Sequence, residues 1–188
     1  MIMMTKIYFV RHAEPDIKIK DDMTRPLTEN GIIDSTKIKN YLENKSISRI
    51  YSSPSKRTVD TIKSFADSIG LEIKLVYDLR ERNIGTWVDD FDDFAMRQWK
   101  DFDYKLKGGE NLKEVQIRNI NTLYEILEKN RGENIVIGTH GTALSTIIKY
   151  FNPNFEYDDF ERIRPIMPYI IKFKFNGTEF VSMKELKY

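Results

Sequence analysis

Apolar positions fall into short unbroken runs and into longer stretches with helical spacing, and the two kinds alternate along the chain. Lys6-Ile7-Tyr8-Phe9-Val10 is a strand-length run, as are Arg49-Ile50-Tyr51-Ser52, Glu72 to Val76, and Asn134-Ile135-Val136-Ile137-Gly138. Between them, Thr28 is placed to cap a helix carrying Ile38, Tyr41 and Leu42. Ser53-Pro54 supplies a cap residue and a first-turn proline for a helix with Val59, Ile62, Ala66 and Ile69 on one face, and Gly70 ends it. A third helix is expected from about Asn111 to Lys129. A fourth carries Leu144, Ile147, Ile148 and Phe151 at i, i+3, i+4, i+7. Tyr169 to Phe175 and Thr178 to Met183 flank Asn176-Gly177, a strong hairpin signal.

This alternation predicts an α/β domain, a three-layer α/β/α sandwich with a mostly parallel central sheet and C-terminal antiparallel hairpin strands. At 188 residues the chain fits one well-filled domain, residues 1–188. The stretch from Thr86 to Gly109 breaks the pattern, with Trp87, Phe91, Phe94, Trp99, Phe102 and Tyr104 among Asp89, Asp90, Asp92 and Asp93. Linkers are poor in aromatics, so 86–109 is an inserted lid or cap segment. Phe91, Phe94, Ala95 and Phe102 fit one core-covering helical face, while Trp87 and Trp99 are the candidates for a lid.

Thirty basic against 29 acidic residues leave a formal charge of +1, which argues against nucleic acid as a partner. With no cysteine, thiolate nucleophiles, thiolate metal sites and disulfides are excluded. Met1-Ile2-Met3-Met4-Thr5-Lys6 shows no signal-peptide pattern and no apolar run is long enough to span a membrane, so a cytoplasmic location is expected. Nothing in the pattern specifies an oligomeric state.

The chain holds two histidines, and each follows a predicted buried strand: His12 after Ile7 to Val10, His140 after Ile135 to Gly138. Ligands of open α/β sheets gather outside the carboxyl ends of parallel strands. If those strands are parallel neighbours, both imidazoles share one crevice. Arg11 adjoins His12, and Arg57 stands on a helix that also follows a strand. Two guanidiniums beside two imidazoles suit a phosphate dianion, because the planar fork pairs with phosphate oxygens. The helix starting near Gly141 adds N–H groups and a positive dipole end. Taken singly, each residue has a plainer reading: Arg57 a solvated helix residue, His140 a buried hydrogen-bonded histidine, Glu81 part of a charged turn with Asp78, Arg80 and Arg82.

Arg11-His12-Ala13-Glu14 resembles the Arg-His-Gly signature of the histidine phosphatase superfamily, the phosphoglycerate-mutase-like enzymes. Further segments follow in that family's order: Leu27-Thr28-Glu29-Asn30-Gly31; Ser52-Ser53-Pro54 with Arg57 and Thr61; Leu79-Arg80-Glu81 with Gly85 and Trp87; Thr139-His140-Gly141. The resemblance implies the same sandwich architecture, no metal and no cofactor. It implies that His12 attacks phosphorus to form a phosphohistidine, that Arg11, Arg57 and His140 hold the phosphoryl oxygens, and that Glu81 protonates the leaving oxygen and then activates water. A carboxyl in that role needs a raised pKa, which predicts activity tilted toward mildly acidic pH. Glu14 is a rival acid or a partner that orients Arg11, and Glu110 could cap the next helix or touch substrate. Ala13 stands in place of glycine, Pro15-Asp16 follow, Lys18 stands where members often place a pocket asparagine, and Val88-Asp89-Asp90 follow Trp87.

The expected activity is hydrolysis of a small phosphorylated metabolite or a phosphoprotein. Two alternatives are a cofactor-dependent phosphoglycerate mutase and a non-catalytic phosphate-binding module. The mutase is disfavoured because no arginine-rich segment follows Glu81 to hold a second anionic group: the stretch from Thr86 to Tyr104 is acidic and aromatic, with Arg97 its one arginine.

Overall fold

The protein is described here by a computed structural model whose described residues are 4–188. Met1 to Met3, part of the segment searched above for a signal pattern, lie outside them. Elements run β1 (Met4–Arg11), α1 (Glu29–Leu42), β2 (Arg49–Ser52), α2 (Lys56–Ile69), β3 (Ile73–Leu75), α3 (Phe91–Lys100), α4 (Leu112–Lys129), β4 (Asn134–Thr139), α5 (Gly141–Phe151), α6 (Tyr157–Ile163), β5 (Tyr169–Asn176) and β6 (Glu179–Leu186).

The strands form one six-stranded sheet in the order β3-β2-β4-β1-β5-β6. β1, β4, β2 and β3 pair in parallel; β5 adds antiparallel to β1 at the other side, and β6 antiparallel to β5. Strand alternation explains the layers, since successive side chains point to opposite faces. Tyr8, Val10, Ile50, Val136 and Ile170 pack with Ile38 and Leu42 of α1 and Ile62, Phe65 and Ala66 of α2. Ile7, Phe9, Ile135, Ile137, Ile171 and Phe173 face the other way, onto Leu123 and Leu127 of α4, Leu144 and Ile147 of α5, and Phe160 and Ile163 of α6. The predicted sandwich is therefore the observed architecture.

Local signals account for most boundaries. Thr28 Oγ1 accepts from Gly31 N at the start of α1, and Gly70, at φ 66°, closes α2 in the left-handed conformation. Asn111 caps α4 in a reciprocal box with Glu114. The hairpin turns at Gly177, φ 59°. Some expectations needed correction. α2 begins at Lys56 with Ser55 at its cap, because Ser52 and Ser53 stay bound to Gly138 of β4; Ser53 Oγ accepts from His140 instead. Ile69 is exposed, and Phe65 takes its expected place in the core. α6 had no clear pattern in the sequence.

Trp99 is not a lid. It is 5% exposed, stacks on Phe160 with ring centroids 5.5 Å apart, and packs on Phe102 and Phe155. Its large apolar surface joins α3 to α6. Phe91 packs against the core as expected and also lines a cavity at the sheet's carboxyl edge.

Candidate active site

β1 and β4 are paired neighbours in register, Arg11 opposite Thr139, so the residues that follow them, His12 and His140, emerge side by side. Their ring centroids stand 5.4 Å apart. β2 lies on the far side of β4, and α2 behind it delivers Arg57. A cavity of about 220 Å³ opens there, and Arg11, His12, Arg57 and Glu81 are among its lining residues.

His12 is 6% exposed. Its Nδ1 lies 2.8 Å from Ala13 O. A carbonyl only accepts, so Nδ1 carries the proton and Nε2 keeps its lone pair. Burial, followed by the neighbouring His140, Arg57 and Arg11, holds the imidazole well below its ordinary pKa of 6.5. The ring is therefore neutral at physiological pH.

Arg11 reaches across to the end of α6. Its Nη1 donates to Ile163 O at 3.1 Å, Arg164 O at 2.7 Å and Ile166 O at 3.3 Å. These carbonyls orient the guanidinium; Glu14 is exposed and does not line the cavity. Nε of Arg11 is buried without a partner among the described residues. Burial above all lowers the Arg11 pKa to about 10, and the group remains charged. A Cβ on Gly141 would meet Arg11 Cζ and Nε at 3.1 Å, so the bare backbone there makes room for the fork.

Arg57 donates through Nη1 to Asp22 O at 2.5 Å and through Nη2 to Asp22 Oδ1 at 2.9 Å and His140 Nδ1 at 3.0 Å. Since a guanidinium only donates, His140 Nδ1 accepts, and Nε2–H donates to Ser53 Oγ at 2.8 Å. His140 is fully buried and does not line the cavity. Both its ring nitrogens are spoken for, so its direct contact is Arg57.

Glu81 sits where the sequence pointed to an anion, at the N-terminus of α5. Its Oε2 accepts from Thr142 N at 3.0 Å, and Oε1 from Ala143 N at 2.9 Å and Arg82 N at 2.8 Å. Burial pushes its pKa up, but the Arg82 charge, these N–H donors and Arg57 outweigh that and leave it below the ordinary carboxylate value. The raised pKa expected of a resting acid is absent.

Asp22, Arg25, Arg82 and Arg164 also line the cavity, and sequence reasoning named none of them for it. Asp22, Arg25 and Arg164 come from segments without a distinctive motif, whereas Arg82 stands inside the Leu79 to Trp87 motif, directly after Glu81. Arg25 clasps its own loop, donating to Ile19 O and Lys20 O. Lys18 is exposed and does not reach the cavity, and Trp87 is 70% exposed with Lys20 over its ring. Glu110 is a bracket: it pairs with Arg80 and Arg118 and accepts from Asn83 N.

Residues 7–185 match the family described as "Histidine phosphatase superfamily (branch 1)". The chain belongs to the histidine phosphatase superfamily. Within this superfamily it is 28% identical over 165 residues to phosphoglycerate mutase-like protein 4 of Arabidopsis thaliana, covering 79% of this chain and 72% of that one. It is 29% identical over 158 residues to probable phosphoglycerate mutase GpmB of Yersinia pestis (strain Pestoides F), covering 77% and 74%. Among solved structures, YhfR of Bacillus stearothermophilus superposes with a TM-score of 0.78 at 25% identity over 94% of each chain. Phosphoserine phosphatase of Entamoeba histolytica, in complex with 3-phosphoglyceric acid, shares the fold with a TM-score of 0.80 at 21% identity over 98% of each. No helix among the described residues is long and apolar enough to cross a membrane, and no cluster of three or more His, Cys, Asp or Glu placed to hold a metal occurs among them.

Proposed function

We propose that the protein is a cytoplasmic phosphomonoesterase acting on a small phosphorylated metabolite through a phosphohistidine on His12. The observation that carries this reading is the state of His12: neutral, with its proton fixed on Nδ1 by Ala13 O, in a cavity shared with Arg11 and Arg57. Nε2 forms the bond to phosphorus as the ester oxygen leaves. Arg11 and Arg57 balance the charge on the equatorial oxygens, which is the main demand of phosphoryl transfer. Splitting the displacement in this way asks nothing of a metal.

Glu81 gives its proton to the leaving oxygen, then takes one from the water that attacks the phosphohistidine and returns His12 to its neutral state. The resting carboxylate acquires the first proton when the phosphate dianion enters beside it, because a neighbouring negative charge raises its pKa. This keeps the expectation of a mildly acidic profile and moves its cause from the resting site to the complex. His140 works through Arg57, which it orients. The segment 86–109 walls the cavity through Phe91.

Hydrolysis of a chromogenic phosphate ester by wild type against His12→Ala tests the reading; equal rates overturn it. The relatives named as mutases favour a second reading. The cavity also holds cations that the stretch from Thr86 to Tyr104 does not supply, Arg25, Arg82 and Arg164. Isomerisation of 3-phosphoglycerate primed with bisphosphoglycerate, if faster than phosphate release, replaces the hydrolase by the mutase. Phosphate binding without either turnover leaves the non-catalytic module.

A further inference from the structure

Alternation along β5 sets a row of charge on one face of the sheet. Ile171, Phe173 and Phe175 are buried on one side, and Lys172 and Lys174 stand between them on the other. Lys6 of β1 lies opposite Lys174, and Lys184 of β6 lies opposite Lys172. Tyr8, the β1 partner of Lys172, packs with residues of α1 and α2, so the four lysines share the face those helices cover. Lys45, beyond the end of α1, adds its charge to theirs, with its ammonium 4.4 Å from the centre of the Tyr41 ring. Lys6 is near the amino end of β1, whereas His12 follows the carboxyl end, so this face lies away from the catalytic cavity.

Like charges directly opposite on neighbouring strands destabilise a sheet, and here two such pairs lie side by side. Opposite side chains stand about 5 Å apart, and the pairs follow each other at about 7 Å along the strand. None of the five lysines pairs with a carboxylate among the described residues; the lysine ion pairs fall at other positions. Burial, followed by Lys174, Lys184, Lys6 and Lys45, lowers the Lys172 pKa. Lysines on an outer strand deter edge-to-edge pairing, which accounts for Lys184 on β6. That reason does not reach Lys6, Lys172 and Lys174, on the interior strands β1 and β5.

We propose that Lys6, Lys172, Lys174 and Lys184, with Lys45 beside them, form a second anion site, which takes an oligophosphate chain, free or carried by a nucleotide. It stands apart from the phosphomonoesterase reading and does not depend on it. Ammonium groups on flexible stems converge on one compact anion, each offering three donors. An anion held between the strands also removes the repulsion across them. With a formal charge of +1 overall, the chain without these five lysines carries −4. A nucleic acid or an anionic membrane would spread beyond the patch onto that surface and meet net repulsion; a short oligophosphate stays within it.

Calorimetric titration with inorganic tripolyphosphate tests the site. Wild type is expected to bind at least about tenfold tighter than Lys172→Gln/Lys174→Gln, whereas Arg57→Met, altered in the catalytic cavity, keeps this affinity. Without ligand, the double variant is expected to show a higher urea midpoint than wild type, and tripolyphosphate raises the midpoint of wild type alone. Its hydrolysis of a chromogenic ester is expected to stay within about twofold of wild type, because the two sites are distant. Binding lost in Arg57→Met and unchanged in the double variant assigns the anion to the catalytic cavity and overturns the proposal. An equal rise of the midpoint in sodium chloride at matched ionic strength is screening alone and overturns it too. So does capture of phosphatidylserine vesicles or single-stranded DNA without affinity for tripolyphosphate, which makes the face a surface for extended polyanions. ATP bound as tightly as tripolyphosphate makes the ligand a nucleotide, and weaker ATP binding makes it free oligophosphate; the site stands in either case. If the double variant does not fold, Lys184→Gln at the exposed edge reads the same titration, and an unchanged affinity there overturns the site.

Discussion

Glu81 keeps its charge in the resting protein because two N–H groups of α5, one of its own chain and the Arg82 guanidinium all favour the carboxylate over the acid. The proton-donor role proposed for it therefore predicts a dependence on the leaving group. Glu81→Gln retains the polar contacts of one oxygen and removes the proton. With alkyl phosphates, whose leaving oxygen must be protonated, kcat is expected to fall by about 10²- to 10³-fold. With dinitrophenyl phosphate, which leaves as a stable anion, initial product release is expected to stay within about threefold of wild type. Stopped-flow comparison of the two substrates checks this, and an equal loss on both removes Glu81 from the acid role. The residue types of His12, Arg11, Arg57 and Glu81 were legible because their motifs place each beside a strand end. Their proton positions were not, since these depend on Ala13 O, Ser53 Oγ and the α5 N–H groups, which side-chain geometry alone brings into reach.

The two helices that flank the site, α5 and α6, act on it through their ends. α5 gives its first N–H groups to Glu81, and the carbonyls at and just beyond the end of α6 hold Arg11. Helix termini leave such groups without intrahelical partners, so they are free to orient charged side chains. Gly141, the first residue of α5, lets Arg11 lie against the backbone. Gly141→Ala places a methyl 3.1 Å from the Arg11 Cζ and must push the guanidinium aside. The expected outcome is a fall of about tenfold or more in kcat/KM with a stability change of no more than about 1 kcal/mol, read by steady-state kinetics and urea denaturation of the same variant. Loss of stability with activity intact would place the strain elsewhere. α5 was plain in the sequence because Leu144, Ile147, Ile148 and Phe151 keep one face apolar. α6, only Tyr157–Ile163, is too short to show a period, so the origin of the Arg11 contacts was hidden.

Across the whole molecule, the burial that keeps both imidazoles neutral predicts a fold sensitive to acid. His12 and His140 have folded pKa values well below 6.5, so between those values the unfolded chain binds protons that the folded chain refuses. Stability is full above about pH 6.5 and declines as pH falls, by at most about 1.4 kcal/mol per pH unit for each imidazole. Glu81 and Glu110, held below their ordinary carboxylate value, add a further loss at lower pH, as each takes up a proton. The urea midpoint is expected to drop from pH 7.5 to 5.0, and His12→Asn to flatten that slope; an unaltered slope refutes the assignment of the effect to His12. Such a dependence follows from three-dimensional burial and has no signature in a sequence with an unremarkable net charge of +1. The strand runs, helix faces, turn at Asn176-Gly177 and ordered motifs determined the sandwich, because local periodicity and chain direction fix which segments become strands or helices and which strand end each histidine follows. The pairing of β1 with β4, the cover of α6 over Arg11 and the meeting of Arg25, Arg82 and Arg164 in one cavity were decided only by tertiary structure. Those arginines come from separate segments and answer to no common period; the packing of α3 against α6 through Trp99 and Phe160 accounts for one meeting, that of Arg164 with the Phe91 ring at the cavity wall.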